Sequence, residues 1–120
     1  MAKFIVSLCS FGLLLSSSMV YSSSNVDDEL LEKRCRLLVE QINNLEQYQH
    51  RPLCRDKLAS ASRQIGISAI KIHYQNYKDA GFLLASSIRD LNFAVEISCV
   101  LKFEIVTAKK EALAIMKEVS

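Results

Sequence analysis

The segment Leu91–Val106, LNFAVEISCVLKFEIV, is the most apolar run in the chain beyond residue 24, and its conformation decides the fold. Every second residue from Leu91 onward is apolar, which is typical of a strand. Several intervening positions are apolar as well, so the same residues are also consistent with a helix that is buried on most sides. A strand of this length would be unusual, and only residues 65–74 could pair with it. We therefore predict a helix; the alternative is an α+β fold with strands near 65–74 and 92–106.

The composition favours helices in the rest of the chain too. The protein has 120 residues, enough for one domain, and 50% of them are hydrophobic while 23% are charged. One proline and three glycines leave few breaks, and few breaks favour long elements. The predicted fold class is all-α, a small bundle of three to four helices. The net charge of +2 is too small to indicate a nucleic-acid partner.

The first 24 residues have the plan of an export signal. Lys3 is their only charge, residues 4–15 form an apolar centre, and serines follow. The serines predict cleavage after Ser24, with Ser22 as a second option, and leave one helical domain over residues 25–120. The apolar centre is shorter than the roughly 20 residues of a spanning helix. We expect a secreted or periplasmic protein with no stable membrane span after cleavage; the alternative is a retained anchor.

Two helices are predicted directly by their apolar spacing. Residues 28–49 form the first, and Pro52 favours the start of the second near Leu53. The 4-3 spacing of both indicates an antiparallel hairpin. A turn is expected at Asp79–Gly81, followed by helical residues 82–91 and a helical tail over 107–120. The positions that define the two spacings are Leu31, Cys35, Leu38, Ile42 and Leu45, then Cys54, Leu58, Ala61, Ile65, Ser68 and Ile72.

Three cysteines follow the signal, and an exported protein is expected to pair two of them. In the hairpin, Cys35 lies about 22 Å along the axis from Cys54, far beyond disulfide reach. Cys99 is the partner that either one could share, and the register slightly favours Cys54–Cys99. Cys35 is then the free or alternative thiol. The other interpretation is three buried thiols that pack as small hydrophobic side chains.

The sequence contains no pattern of a catalytic site. It has no glycine-rich phosphate loop and no CxxC, HExxH or GxSxG motif, so we expect no enzyme, no cofactor and no metal site. A partner-binding surface could use Tyr48, Tyr74 and Tyr77, although half-buried core tyrosines are the simpler interpretation.

These observations indicate an exported binding or structural module that acts through protein–protein contacts. The roles it suggests are a secretion-apparatus accessory, a host- or surface-interacting secreted protein, or an inhibitor. Its protein partner is unknown, and a homo-oligomer is a second option. The alternative function is a periplasmic metal- or thiol-handling protein, and its candidate residues are Cys35, Cys54, Cys99, His50 and His73.

Overall fold

Four helices form the described part of the protein. The structure, a computed structural model, describes the backbone of residues 19–120 and the side chains of residues 28–120. The helices are α1 (Met19–Gln47), α2 (Pro52–His73), α3 (Tyr77–Glu96) and α4 (Lys102–Val119). The predicted export signal lies outside the residues with described side chains and stays a prediction.

The helices pack in sequence order around one core. Each contacts the next along the chain, and α1 also contacts α4, which closes the ring into an antiparallel four-helix bundle. The all-α prediction is confirmed. The 4-3 spacing of α1 and α2 produces the buried stripes, because side chains three and four residues apart share one helix face. The largest fully buried apolar side chains are Leu38, Ile42, Leu58, Ile65, Ile72, Leu84, Leu91, Ile105 and Ile115.

The α2–α3 turn lies five residues before its predicted position. Helix α2 ends with Gln75 in the left-handed conformation, with backbone bonds from Gln75 N to Ile72 O and from Asn76 N to Lys71 O. These two bonds define a Schellman motif. The predicted turn at Asp79–Gly81 is therefore wrong, and these residues lie in the first turns of α3.

The segment 91–106 is not one continuous helix, which corrects the prediction. Helix α3 ends at Glu96 in a second Schellman motif, with Ser98 at φ 64° and a bond from Cys99 N to Ala94 O. Leu101, also at φ 64°, precedes the first residue of α4. The run holds apolar side chains of both kinds: Leu91 and Ala94 of α3, Cys99 of the turn and Ile105 of α4 are buried, whereas Phe93, Val100, Leu101 and Phe103 are exposed.

The strand alternative is wrong as well. Residues 65–72 lie within α2, and the structure has no strand anywhere in residues 19–120. Isoleucines recur there nearly every second residue because Ile65 and Ile72 face the core while Ile67 and Ile70 face outward. The first helix is also longer than the predicted 28–49 at its start and two residues shorter at its end.

Candidate interaction surface

A disulfide and a group of hydrogen bonds join the α1–α2 turn to the α3–α4 turn at one end of the bundle; we call these contacts the staple. The structure contains a Cys54–Cys99 disulfide, the pairing that the register favoured, with Cα atoms 5.7 Å apart. Next to it, the buried Gln49 side chain donates from Nε2 to Val100 O at 2.9 Å, and its Oε1 accepts from Val100 N at 3.0 Å. Arg51 donates to Ile97 O across the same gap. These contacts fix the two turns to each other.

The residues proposed for metal or thiol chemistry are dispersed. Cys54 and Cys99 are consumed by the disulfide, while Cys35 is buried at mid-height in α1. His50 lies in the α1–α2 turn, and His73 ends α2, about 33 Å away by the helical rise. Within residues 28–120, no three His, Cys, Asp or Glu side chains are grouped as a metal site would require.

The three candidate tyrosines do not form one surface. Tyr48 lies at the stapled end, whereas Tyr74 and Tyr77 lie at the opposite end, around the α2–α3 turn. Tyr77 is half-buried and donates its hydroxyl to Asp28 at 2.5 Å, and this bond raises the pKa of the phenol above 10.0. Tyr74 is 75% exposed. Tyr74 lies directly after α2, four residues from the exposed Ile70, so these two side chains are neighbours on the helix surface.

Tyr74 and three other exposed apolar side chains form what we call the α2–α3 patch: Ile67 and Ile70 of α2, Tyr74 directly after α2, and Phe82 of α3. Ile70 is 53% exposed and Phe82 is 70% exposed. The spacing of 67, 70 and 74 sets these three side chains on one outward face. Ile67 and Phe82 also line a concavity of about 340 Å³, whose wall includes Leu83.

The border of the α2–α3 patch is basic. Lys71 pairs with Asp79, with Nζ 3.8 Å from Oδ2, on the edge of the concavity. Arg63 lies one turn before Ile67 on α2, and Lys78 lies one turn before Phe82 on α3. Arg89 lies two turns after Phe82. In the described part of the chain, no carboxylate is within ion-pair distance of Arg63, Lys78 or Arg89.

A second apolar groove runs along the α1–α4 seam. It has a volume of about 360 Å³, is floored by Leu45 and Ala108, and is bordered by Phe103, which is 78% exposed. A bidentate ion pair from Arg34 to Glu111, at 2.9 and 3.0 Å, joins the two helices further along the seam. The lining of this groove holds one charge, Glu104, whereas the lining of the α2–α3 concavity holds the Lys71–Asp79 pair.

Sequence reasoning found Ile67 and Ile70, with Tyr74 and Tyr77, as a second apolar face of α2, but it did not find Gln49 or Phe82. Gln49 carries no motif, because its role depends on a loop 51 residues away. A detectable signal did exist for the patch. Asn76 accepts from Asp79 N and donates to its carboxylate, a capping pair spaced like a capping box. That pair would have moved the start of α3 to residue 77 and placed Phe82 on its surface.

No protein-family model, curated protein or solved structure matches this chain. None of the helices in residues 19–120 combines the length and apolarity needed to cross a bilayer. The disulfide is compatible with an extracellular or periplasmic location, because disulfides persist in oxidising compartments.

Proposed function

We propose that this protein is an exported helical module that binds a protein partner through the α2–α3 patch. The observation that carries the proposal is that the exposed Ile67 and Phe82 line one concavity outside the core, with the exposed Ile70 and Tyr74 on the same outward face as Ile67. Single exposed apolar residues are ordinary, but a contiguous group bordered by polar residues is typical of a binding surface. Tyr74 and Phe82 belong to the aromatic residue types that are enriched at interfaces.

The remainder of the molecule supports a passive role as a scaffold. The staple at the opposite end holds two turns with a disulfide and buried hydrogen bonds, so the helices that carry the patch are fixed relative to each other. A rigid surface binds with less loss of conformational entropy than a mobile one. The predicted export signal accounts for how a disulfide forms, since the cytosol keeps thiols reduced.

Site-specific photocrosslinking in the cells that produce the protein tests this function. A photoreactive phenylalanine analogue replaces Phe82 in one variant and Phe103 in another, a matched control because both rings are well exposed on different faces. We expect one defined adduct from position 82 and none from position 103. Export is read from the mature mass in the extracytoplasmic fraction. Identical adduct patterns at the two positions, or no adduct at 82, would contradict the proposal.

A further inference from the structure

We infer that the partner of the α2–α3 patch presents an acidic segment with an apolar anchor side chain. This inference rests on the proposed function and specifies the chemistry of the partner. The patch combines an apolar concavity with a border of four cations, Arg63, Lys71, Lys78 and Arg89. The nearby carboxylates are Asp79, paired with Lys71, and Asp90, paired with Lys57, so three of the four cations have no carboxylate partner in the described residues. The concavity favours a partner with an apolar side chain, and the basic border favours a partner with acidic residues.

The concavity selects the anchor. Its volume of about 340 Å³ exceeds that of one large side chain, and Ile67, Phe82 and Leu83 supply an apolar lining. A leucine or phenylalanine side chain from a partner would bury its apolar surface there and cover the Phe82 ring, and the removal of this apolar surface from water favours binding. A bilayer surface has no side chain to insert into a depression, so the concave shape favours a protein over a membrane.

The border selects the charge. Lys71 is the only one of the four cations with an ion-pair partner in the described residues, and that pair is exposed to solvent. Arg63, Lys78 and Arg89 reach solvent on both helices around the apolar centre. Their field attracts carboxylates and repels basic segments, so it sets both the association rate and the choice of partner.

The same border opposes a second copy of this chain as the occupant. In a two-fold symmetric dimer, the same patch faces itself. Cations from one copy would then lie against cations from the other, while Asp79 and Asp90 of each copy are already paired with Lys71 and Lys57. Like charges brought together across an interface are destabilising, so self-association through this patch is disfavoured.

Binding of two synthetic peptides tests the inference. Both are amphipathic helices with the same apolar face; the polar positions are glutamates in one and lysines in the other. Titration into the purified protein, followed by fluorescence anisotropy, should give an acidic-peptide Kd at least roughly tenfold lower than that of its basic twin, and this preference should shrink as salt rises. The double variant Arg63→Glu/Lys78→Glu should remove or reverse the preference.

Matched variants connect the binding to the patch. Phe82→Ser should abolish acidic-peptide binding while Phe103→Ser leaves it unchanged, and equal helical circular dichroism confirms that both variants fold. Equal Kd values for the two peptides, still lost in Phe82→Ser, would overturn the charge inference and leave the proposed function standing. If the acidic peptide does not bind, the inference is also overturned. The photocrosslink at position 82 then tests the proposed function independently.

Two further measurements assign the occupant if it is not a protein segment. The first is binding to vesicles of phosphatidylcholine and phosphatidylglycerol. If the protein binds these vesicles more strongly than it binds the acidic peptide, and Phe82→Ser removes this binding, the inference is overturned in favour of a membrane. A dimer in sedimentation equilibrium that Phe82→Ser dissociates would overturn it in favour of self-association. A monomer without vesicle binding supports the protein partner.

Discussion

At the scale of single residues, the buried Cys35 thiol makes the free energy of unfolding depend on pH. Its side chain is fully buried in α1, and desolvation raises the pKa of the thiol from 9.0 to about 11, against the lowering effect of Arg34 and Arg36. The folded state therefore keeps its proton to a higher pH than the unfolded state does. The resulting stabilisation is complete below pH 9 and is lost as the pH rises through about 11.

We predict that the free energy of unfolding falls by roughly 2–3 kcal/mol between about pH 8 and pH 11, and that Cys35→Ala flattens this dependence. Urea titrations at several pH values measure it. The Tyr77 phenol, whose pKa is raised by its bond to Asp28, titrates in both proteins, so their difference isolates Cys35. Parallel pH profiles for the two proteins would show that the thiol has no part in the effect.

Gln49 is the residue whose replacement should cost most among the polar side chains. Gln49→Leu keeps the size but removes the bonds to Leu45 O, Val100 O and Val100 N, leaving part-buried backbone groups unpaired. We expect a loss of about 2–3 kcal/mol in denaturant unfolding and faster hydrogen exchange at the Val100 amide. Gln47→Leu, on the exposed end of α1, should change stability by less than about 0.5 kcal/mol. Equal losses in both variants would contradict the role of the staple.

At the scale of helices, both described glycines can be improved. Gly66 in α2 and Gly81 in α3 have room for a methyl group, since an added Cβ would lie 3.8 Å from Val39 Cγ2 and from Val119 Cγ2 respectively. Alanine is favoured over glycine in a helix by about 1 kcal/mol. Gly66→Ala and Gly81→Ala should each raise the free energy of unfolding by about 0.5–1 kcal/mol, measured by thermal melts. Ala59→Gly, elsewhere in α2, should act in the opposite direction; a lower melting temperature in either alanine variant would show that the space is not usable.

The presence of the helices was predictable from the sequence, whereas the residues at which they end were not. Apolar spacing identified α1 and α2, because a helix facing one core must repeat every three to four residues. The ends of α2 and α3 lacked the usual glycine, since Gln75 and Ser98 occupy the left-handed positions instead. The turn between α3 and α4 also holds apolar residues, the buried Cys99 and the exposed Val100 and Leu101, so nothing in 91–106 marks the break between the two helices.

At the scale of the whole molecule, the disulfide was predicted from the sequence and the complete α2–α3 patch was not. The predicted register slightly favoured Cys54–Cys99, and the α2–α3 turn, which lies earlier than predicted, brings these two cysteines to the same end of the bundle. The patch depends on which outward residues of α2 and α3 become neighbours. Because the α2–α3 turn was predicted five residues too late, Phe82 was expected at a different position relative to α2. Surface neighbours need correct helix ends, while core positions need only the correct period.

The disulfide closes α2 and α3 into a covalent ring, with α1 and α4 outside it. Its cysteines are 45 residues apart, and chain-entropy arguments assign such a loop about 4 kcal/mol of stabilisation, against roughly 5–15 kcal/mol for a whole domain. The double variant Cys54→Ala/Cys99→Ala should therefore lose about 2–4 kcal/mol in denaturant unfolding yet remain folded, because the buried stripes that join all four helices are unchanged. Cys35→Ala is the control for cysteine removal without ring opening. A double variant as stable as the control would show that the Gln49 and Arg51 bonds alone hold that end of the bundle.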